Sequence, residues 1–234
     1  DGISVGIGLH DSSAALIPYI LNFTEPFVLL STGTWSISLN PFNDKPLTSE
    51  ELHNDCLCFL QYKNVPVKAA RLFAGNTHEI ETKRIAKHFG IPNNFFKEIT
   101  YNKEIIAELK DKNSKDISLN TTQIEKCLFE SRDLNNFENY EIAYNQLIID
   151  IVEQQKISTH LVIHNSPVKK IFVDGGFSKN SIFMNLLAQA YPQMEVYAAS
   201  MAQASALGAA LAIHNSWNPK PIQNDLIDLK FYKH

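Results

Sequence analysis

Val173-Asp174-Gly175-Gly176-Phe177-Ser178-Lys179-Asn180 joins a β-branched run, Val168 to Val173, to a helical spacing of Phe183, Leu186, Leu187 and Ala190. A strand that ends in Gly-Gly and passes into a helix leaves backbone N–H groups free at the mouth of a sheet, beside the positive end of a helix dipole. That setting suits a nucleotide, and Ser178, Lys179 and Asn180 at the helix entrance add donors for ribose, phosphate or base. Standing alone, the same residues read more readily as a βα turn with a polar cap.

Working outward, Met194 to Ala198 reads as a second strand and Ala202 to Ile213 as an alanine-rich helix, in which Leu207-Gly208-Ala209-Ala210 permits close helix packing. Upstream, Tyr140, Ala143, Tyr144, Leu147, Ile148, Ile151 and Val152 recur at i, i+3, i+4 spacing and mark a long core-facing helix. Lys110 to Ser118 is charged and polar and reads as a surface loop. Before it, helices are expected over Thr77 to Phe89, stopped by Gly90, and over Asn93 to Leu109. A hairpin is expected around Phe59 to Ala69, turning at Lys63-Asn64, and Thr48-Ser49-Glu50-Glu51 offers a capping box.

Phe27-Val28-Leu29-Leu30 and the alternating Trp35-Ser36-Ile37-Ser38-Leu39 form a hairpin about Ser31-Thr32-Gly33-Thr34. Ile3 to Leu9 reads as a strand, followed by a short helix from Ala14 to Ile17 that Asp11-Ser12-Ser13 caps and Pro18 limits. Strands and helices in this alternation give an α/β domain without repeats.

The composition narrows the function. The 234 residues, 44% of them apolar, suffice for a sizeable core. A net charge of -4 offers no electrostatic footprint for nucleic acid or an anionic membrane. Three cysteines without metal-type spacing indicate neither a disulfide framework nor a zinc site, which fits a reducing cytoplasm. No apolar run approaches the roughly 18 residues needed to span a bilayer, and the start at Asp1-Gly2-Ile3 reads like the interior of a longer protein. Six of only nine glycines, at 6, 8, 33, 175, 176 and 208, fall in short apolar-flanked segments where close backbone approach is wanted.

Ser31, Thr32, Gly33 and Thr34 place hydroxyl and amide donors in one tight turn, a geometry for anionic oxygens or for satisfying the turn's own backbone. Asp11, near a strand end after Gly6 and Gly8, is a candidate general base for a substrate hydroxyl, with helix capping as its alternative role. Gly6-Ile7-Gly8-Leu9-His10-Asp11 departs from the dinucleotide fingerprint at its third glycine, and nucleophile-elbow, P-loop and HExxH patterns do not occur.

Taken in order, His10 to Ala15, Leu30 to Ser36, Val173 to Asn180 and Ala204 to Ala210 resemble the C-terminal half of the FGGY carbohydrate kinases, over nearly the whole chain. The resemblance implies an actin-like ATPase, ribonuclease H-like domain with a mixed sheet flanked by helices. It implies that residues 1–25 end an N-terminal domain and form the interdomain junction, and that 26–234 form the ATP-binding domain. The N-terminal sugar-binding domain would lie outside this chain. Asp11 would be the general base; Gly33 and Thr34 would cradle the ATP phosphates; Gly175, Gly176 and Asn180 would hold the adenosine. Mg²⁺ would be held mostly by phosphates and water, with no protein ligand assigned here.

The wording Thr32-Gly33-Thr34-Trp35-Ser36 is closer to the rhamnulokinase and fuculokinase branch, which implies a deoxyketohexose such as L-rhamnulose or L-fuculose. Phe177 departs from the small residue that many members carry after the two glycines. Two other classes share such a fold: a nucleotide-dependent switch or assembly protein, and a sugar-responsive module without activity. Oligomeric state is not legible.

Overall fold

A computed structural model describes residues 8–115, 124–201, 203–222 and 226–233. The strand expected over Ile3 to Leu9 lies almost wholly outside these residues, as does Gly6. Among the described residues, seven strands form one mixed sheet in the order β3-β4-β2-β1-β5-β6-β7. They are β1 (Phe27–Thr32), β2 (Ser36–Asn40), β3 (Cys56–Leu60), β4 (Pro66–Leu72), β5 (Lys170–Gly175), β6 (Glu195–Ser200) and β7 (Asp228–Tyr232). The strands β1, β5 and β6 run parallel, and all other pairings are antiparallel.

Alternation along the central strands divides the core in two. Val28, Leu30, Ile171 and Val173 face a large cluster built with helices α3 (Ala74–Phe89), α4 (Lys103–Lys115), α5 (Tyr140–Ile163) and α6 (Ser181–Ala190). Phe27, Leu29 and Phe172 face the opposite side, where Leu16 and Tyr19 of α1 (Asp11–Asn22) cover them. Leu29 and Leu30 are both fully buried, each contributing about 2 kcal/mol of transfer free energy.

The expected β1-β2 hairpin forms with Thr32 opposite Ser36, and the Thr48-Glu51 capping box starts α2 (Ser49–His53). The β3-β4 hairpin turns through Asn64 at φ 61°. Gly90 ends α3 in the left-handed region at φ 66°, and Asn180 caps α6 through bonds from Ile182 N and Phe183 N.

Three expectations need correction. Pro18 does not limit the first helix, which continues through it to Asn22. The helix expected over Asn93 to Leu109 is divided: Phe95–Glu98 is one 3₁₀ turn, and α4 begins at Lys103, where the Asn102 side-chain oxygen Oδ1 accepts from the amides of Glu104 and Ile105. The loop expected from Lys110 is instead helical as far as Lys115. The edge strand β7 completes the sheet beyond α7 (Ala204–Ala212).

Candidate functional site

The parallel strands β1 and β5 end side by side, Thr32 pairing with Gly175, so the two glycine turns read from the sequence sit next to each other. Thr32 ties them together. Its hydroxyl donates to Asp174 O at 2.5 Å and accepts from Phe177 N at 3.0 Å, while its carbonyl accepts from Gly176 N at 2.8 Å. Gly175 stands at φ 92°, and a Cβ there would overlap the Thr32 carbonyl, so only glycine lets the turns meet this closely.

The Gly33-Thr34 turn is braced from below by the start of α3. Asn76 N donates to Thr34 O at 3.0 Å, and Gly75 packs so tightly that a Cβ would overlap Gly33 O. Gly33 and Gly176 differ from these packing glycines. A Cβ on either would meet nothing closer than 3.8 Å, yet both lie on the wall of a cavity of about 750 Å³. Internal packing does not demand their bareness; close approach by a ligand would.

The cavity lies between α3, the segment from Phe96 to Thr100, α5 and the turn into α6. His78, Phe96, Tyr144 and Phe177 form its aromatic side, and Lys97 and Lys179 its cations. Ser178, expected to face a ligand, is turned inward and donates to Gly175 O at 2.9 Å. Phe177 is buried and stacks on Phe183, with ring centroids 4.5 Å apart, while also contributing to the cavity wall.

Asn180 reaches the cavity while its Oδ1 caps α6 and its Nδ2 donates to Tyr144 Oη at 2.8 Å. Tyr144 Oη in turn lies 3.0 Å from His78 Nε2. Burial is the main force on His78, pushing its pKa down to about 4 against a small opposing pull from Glu79. Gly75, His78, Phe96 and Tyr144 were not singled out from the sequence. Gly75 and His78 lie at the start of α3, Phe96 in the 3₁₀ turn Phe95–Glu98, and Tyr144, which the periodicity marks only as core-facing, at the start of α5.

Asp11 belongs to neither turn. It begins α1, capped by His10, and its carboxylate is exposed, accepting from Ser12 N at 2.7 Å and lying 2.8 Å from His10 Nδ1. Ser205 Oγ at the start of α7 donates to its carbonyl at 3.1 Å. Because α7 follows the end of β6, Asp11 stands at the same edge of the parallel strands as the glycine turns, but on the α1 face of the sheet. Asp174 also faces α1 and is nearly buried. Burial raises its pKa most, opposed by Gly175 N–H and by the Tyr19 hydroxyl, which approaches without closing a hydrogen bond.

The mixed sheet flanked by helices is shared with solved sugar kinases of the actin-like ATPase fold. A carbohydrate kinase from Novosphingobium aromaticivorans aligns at TM-score 0.64 and 22% identity, over 97% of this chain and 46% of that one. A xylulose kinase from Bifidobacterium adolescentis aligns at 0.59 and 15%, over 96% and 43%. Plasmodium falciparum glycerol kinase with ADP aligns at 0.51 and 14%, over 86% and 40%. This chain thus spans less than half the length of each, and it has their fold. Residues 127–214 match the family model for the C-terminal domain of the FGGY family of carbohydrate kinases. No curated protein matches the sequence.

Proposed function

We propose that this chain supplies the ATP-binding half of a carbohydrate kinase that phosphorylates a sugar hydroxyl. The observation that carries the reading is the pair of turns latched by Thr32, whose bare glycines, Gly33 and Gly176, open onto one cavity. The match of residues 127–214 to a carbohydrate kinase domain supports the same reading.

The cavity suits a nucleoside: aromatic walls for the base, Asn180 and Gly176 for the adenosine, and Gly33 for phosphate oxygens, with Thr34 next to it in the same turn but outside the lining. Among the described residues no group of three or more His, Cys, Asp or Glu gathers as a cation site. Mg²⁺ would be held through phosphates and water, where it would neutralise charge on the transferred phosphoryl group. Asp11, exposed on the α1 face of the sheet, would accept the proton of a sugar hydroxyl.

Residues 1–25 are assigned to the junction with a sugar-binding domain and 26–234 to the nucleotide domain, so that catalysis requires the two domains to close. No described helix is long and apolar enough to cross a membrane, and a cytoplasmic setting follows from the sequence reading. The deoxyketohexose assignment rests on the wording of Thr32 to Ser36 together with the His10-Asp11 segment, while solved structures with this fold include xylulose and gluconate kinases. Thermal-shift screening of the full-length protein against ketopentoses, ketohexoses, deoxyketohexoses, gluconate and polyols, with ATP and Mg²⁺, followed by turnover, decides. ATP consumption stimulated by one sugar class is expected. Consumption indifferent to every sugar, accompanied by filament formation, would replace the kinase with an actin-like assembly protein.

A further inference from the structure

The interior wall of the cavity carries a hydrogen-bond chain with a fixed direction. Asn180 Oδ1 accepts from two backbone amides, Ile182 N at 3.0 Å and Phe183 N at 3.1 Å, which sets the orientation of its amide and makes Nδ2 the donor to Tyr144 Oη. Tyr144 Oη therefore receives one bond at 2.8 Å and still has its own proton to give. Burial holds the phenol above its ordinary pKa, so that proton stays in place. His78 Nε2, at 3.0 Å, is its acceptor within hydrogen-bond reach among the described residues.

An imidazole that accepts at Nε2 and is neutral carries its proton on Nδ1. The ring is held in place by edge contacts to three aromatic neighbours, Phe96, Phe177 and Tyr144, with centroids 5.0, 5.6 and 5.8 Å away. Nδ1 makes no hydrogen bond among the described residues, and His78 lies on the cavity wall. The relay thus ends in one N–H donor of fixed identity, on a ring that cannot readily turn, in a largely apolar setting.

We propose that His78 determines base recognition, presenting Nδ1–H to a ring-nitrogen acceptor of the purine, with Tyr144 and Asn180 acting as positioning residues that fix its tautomer. This rests on the nucleotide reading above and adds to it which side chain reads the base. A cationic imidazole would offer donors at both nitrogens and a charge to any anion; the neutral, relay-fixed ring offers one donor to one acceptor. In the phosphate-binding part of the site discrimination comes from charge, whereas at His78 it comes from the position of a single nitrogen in the ligand.

Two measurements on the full-length protein test this. With histidine labelled in ¹⁵N, long-range ¹H–¹⁵N correlations are expected to show one imidazole, absent in His78→Phe, with a protonated Nδ1 and an unprotonated Nε2. In Tyr144→Phe the same ring is expected to mix tautomers. Calorimetric titration with ATP and its 1-deaza, 3-deaza and 7-deaza analogues is expected to show one analogue bound roughly five- to tenfold more weakly than ATP, the loss of one hydrogen bond. That penalty should vanish in His78→Phe and shrink in Tyr144→Phe.

A protonated Nε2, three analogues that all bind as ATP does, or a penalty that persists in His78→Phe would overturn the inference while leaving the nucleotide reading intact. Failure of the wild type to bind ATP at all would remove the nucleotide reading itself, and the inference with it. Should His78→Phe not fold, the wild-type tautomer and analogue series, with Tyr144→Phe, still decide.

Discussion

Gly208 of α7 lies directly on the backbone carbonyl of Ala14 in α1, so close that a Cβ at 208 would overlap the carbonyl oxygen and carbon. Ala14 O is the acceptor that residue 18 would normally serve in a helix, and Pro18 has no N–H to give. The freed carbonyl is covered by a glycine Cα instead, a contact of the weak C–H···O type. Gly208→Ala should push the two helices apart. A loss of about 2 kcal/mol is expected from overpacking, read as a lower urea midpoint with an unchanged m-value. Wild-type stability in this variant would mean that α1 and α7 do not cross at this point.

The glycines at the turns divide into two kinds, and their alanine variants should separate them. Gly175→Ala places a Cβ on Thr32 O from a left-handed backbone and should destabilise the fold by about 2 kcal/mol or more. Gly176→Ala has room, at φ −64°, and should leave stability within ~0.5 kcal/mol of wild type. Nucleotide affinity should nevertheless fall in Gly176→Ala, because the new methyl projects where the ligand backbone approaches. Equal nucleotide affinity in that variant, measured by calorimetry, would remove Gly176 from the site.

Thr32 is buried, and its hydroxyl both donates and accepts between the two turns. Thr32→Val keeps the shape but leaves Phe177 N–H without its acceptor, costing about 1–3 kcal/mol. Thr32→Ser keeps the hydroxyl and should recover most of it. If the latch sets the spacing of the turns, KM for ATP should rise in the valine variant more than kcat falls, and return in the serine variant. A stability loss with unchanged KM would make the latch structural only.

Asp11→Asn should abolish turnover while nearly preserving ATP affinity, since the carboxylate stands on the α1 face, away from the cavity wall. Turnover like the wild type would take the general-base role from Asp11.

Most of this arrangement was legible where the signal is local. The Thr48 capping box, the Gly90 stop and the β1-β2 hairpin each depend on neighbours within a few residues, and the structure has each of them. Pro18 was misread because its defect is repaired by Gly208, 190 positions away in the chain. The helix expected over Asn93 to Leu109 was misread for a related reason: Ser181 takes the amide of Tyr101 at 3.1 Å and Asn102 restarts the helix, so tertiary contact outweighs periodicity. The glycine turns were found, but the cavity wall was not. His78 and Tyr144 sit on helical faces where an aromatic reads as core, and only the meeting of α3 with α5 shows that they share a hydrogen bond.

That burial also predicts a pH dependence. The folded chain holds His78 neutral down to about pH 4, while the unfolded chain protonates it near 6.5. Between those values the unfolded state binds a proton that the folded state refuses, so stability falls as pH drops from about 6.5 towards 4 and gains nothing from His78 above 7. The size is on the order of 3 kcal/mol at most. Carboxylates contribute in the same range, so the informative quantity is the difference between wild type and His78→Phe, which has no group to titrate at that position. Unfolding free energies for the two proteins across pH 4–8 should converge or cross as the pH falls, the wild type losing more. Parallel curves would mean that the His78 ring protonates as readily in the folded chain as outside it, and that the aromatic setting does not keep it neutral.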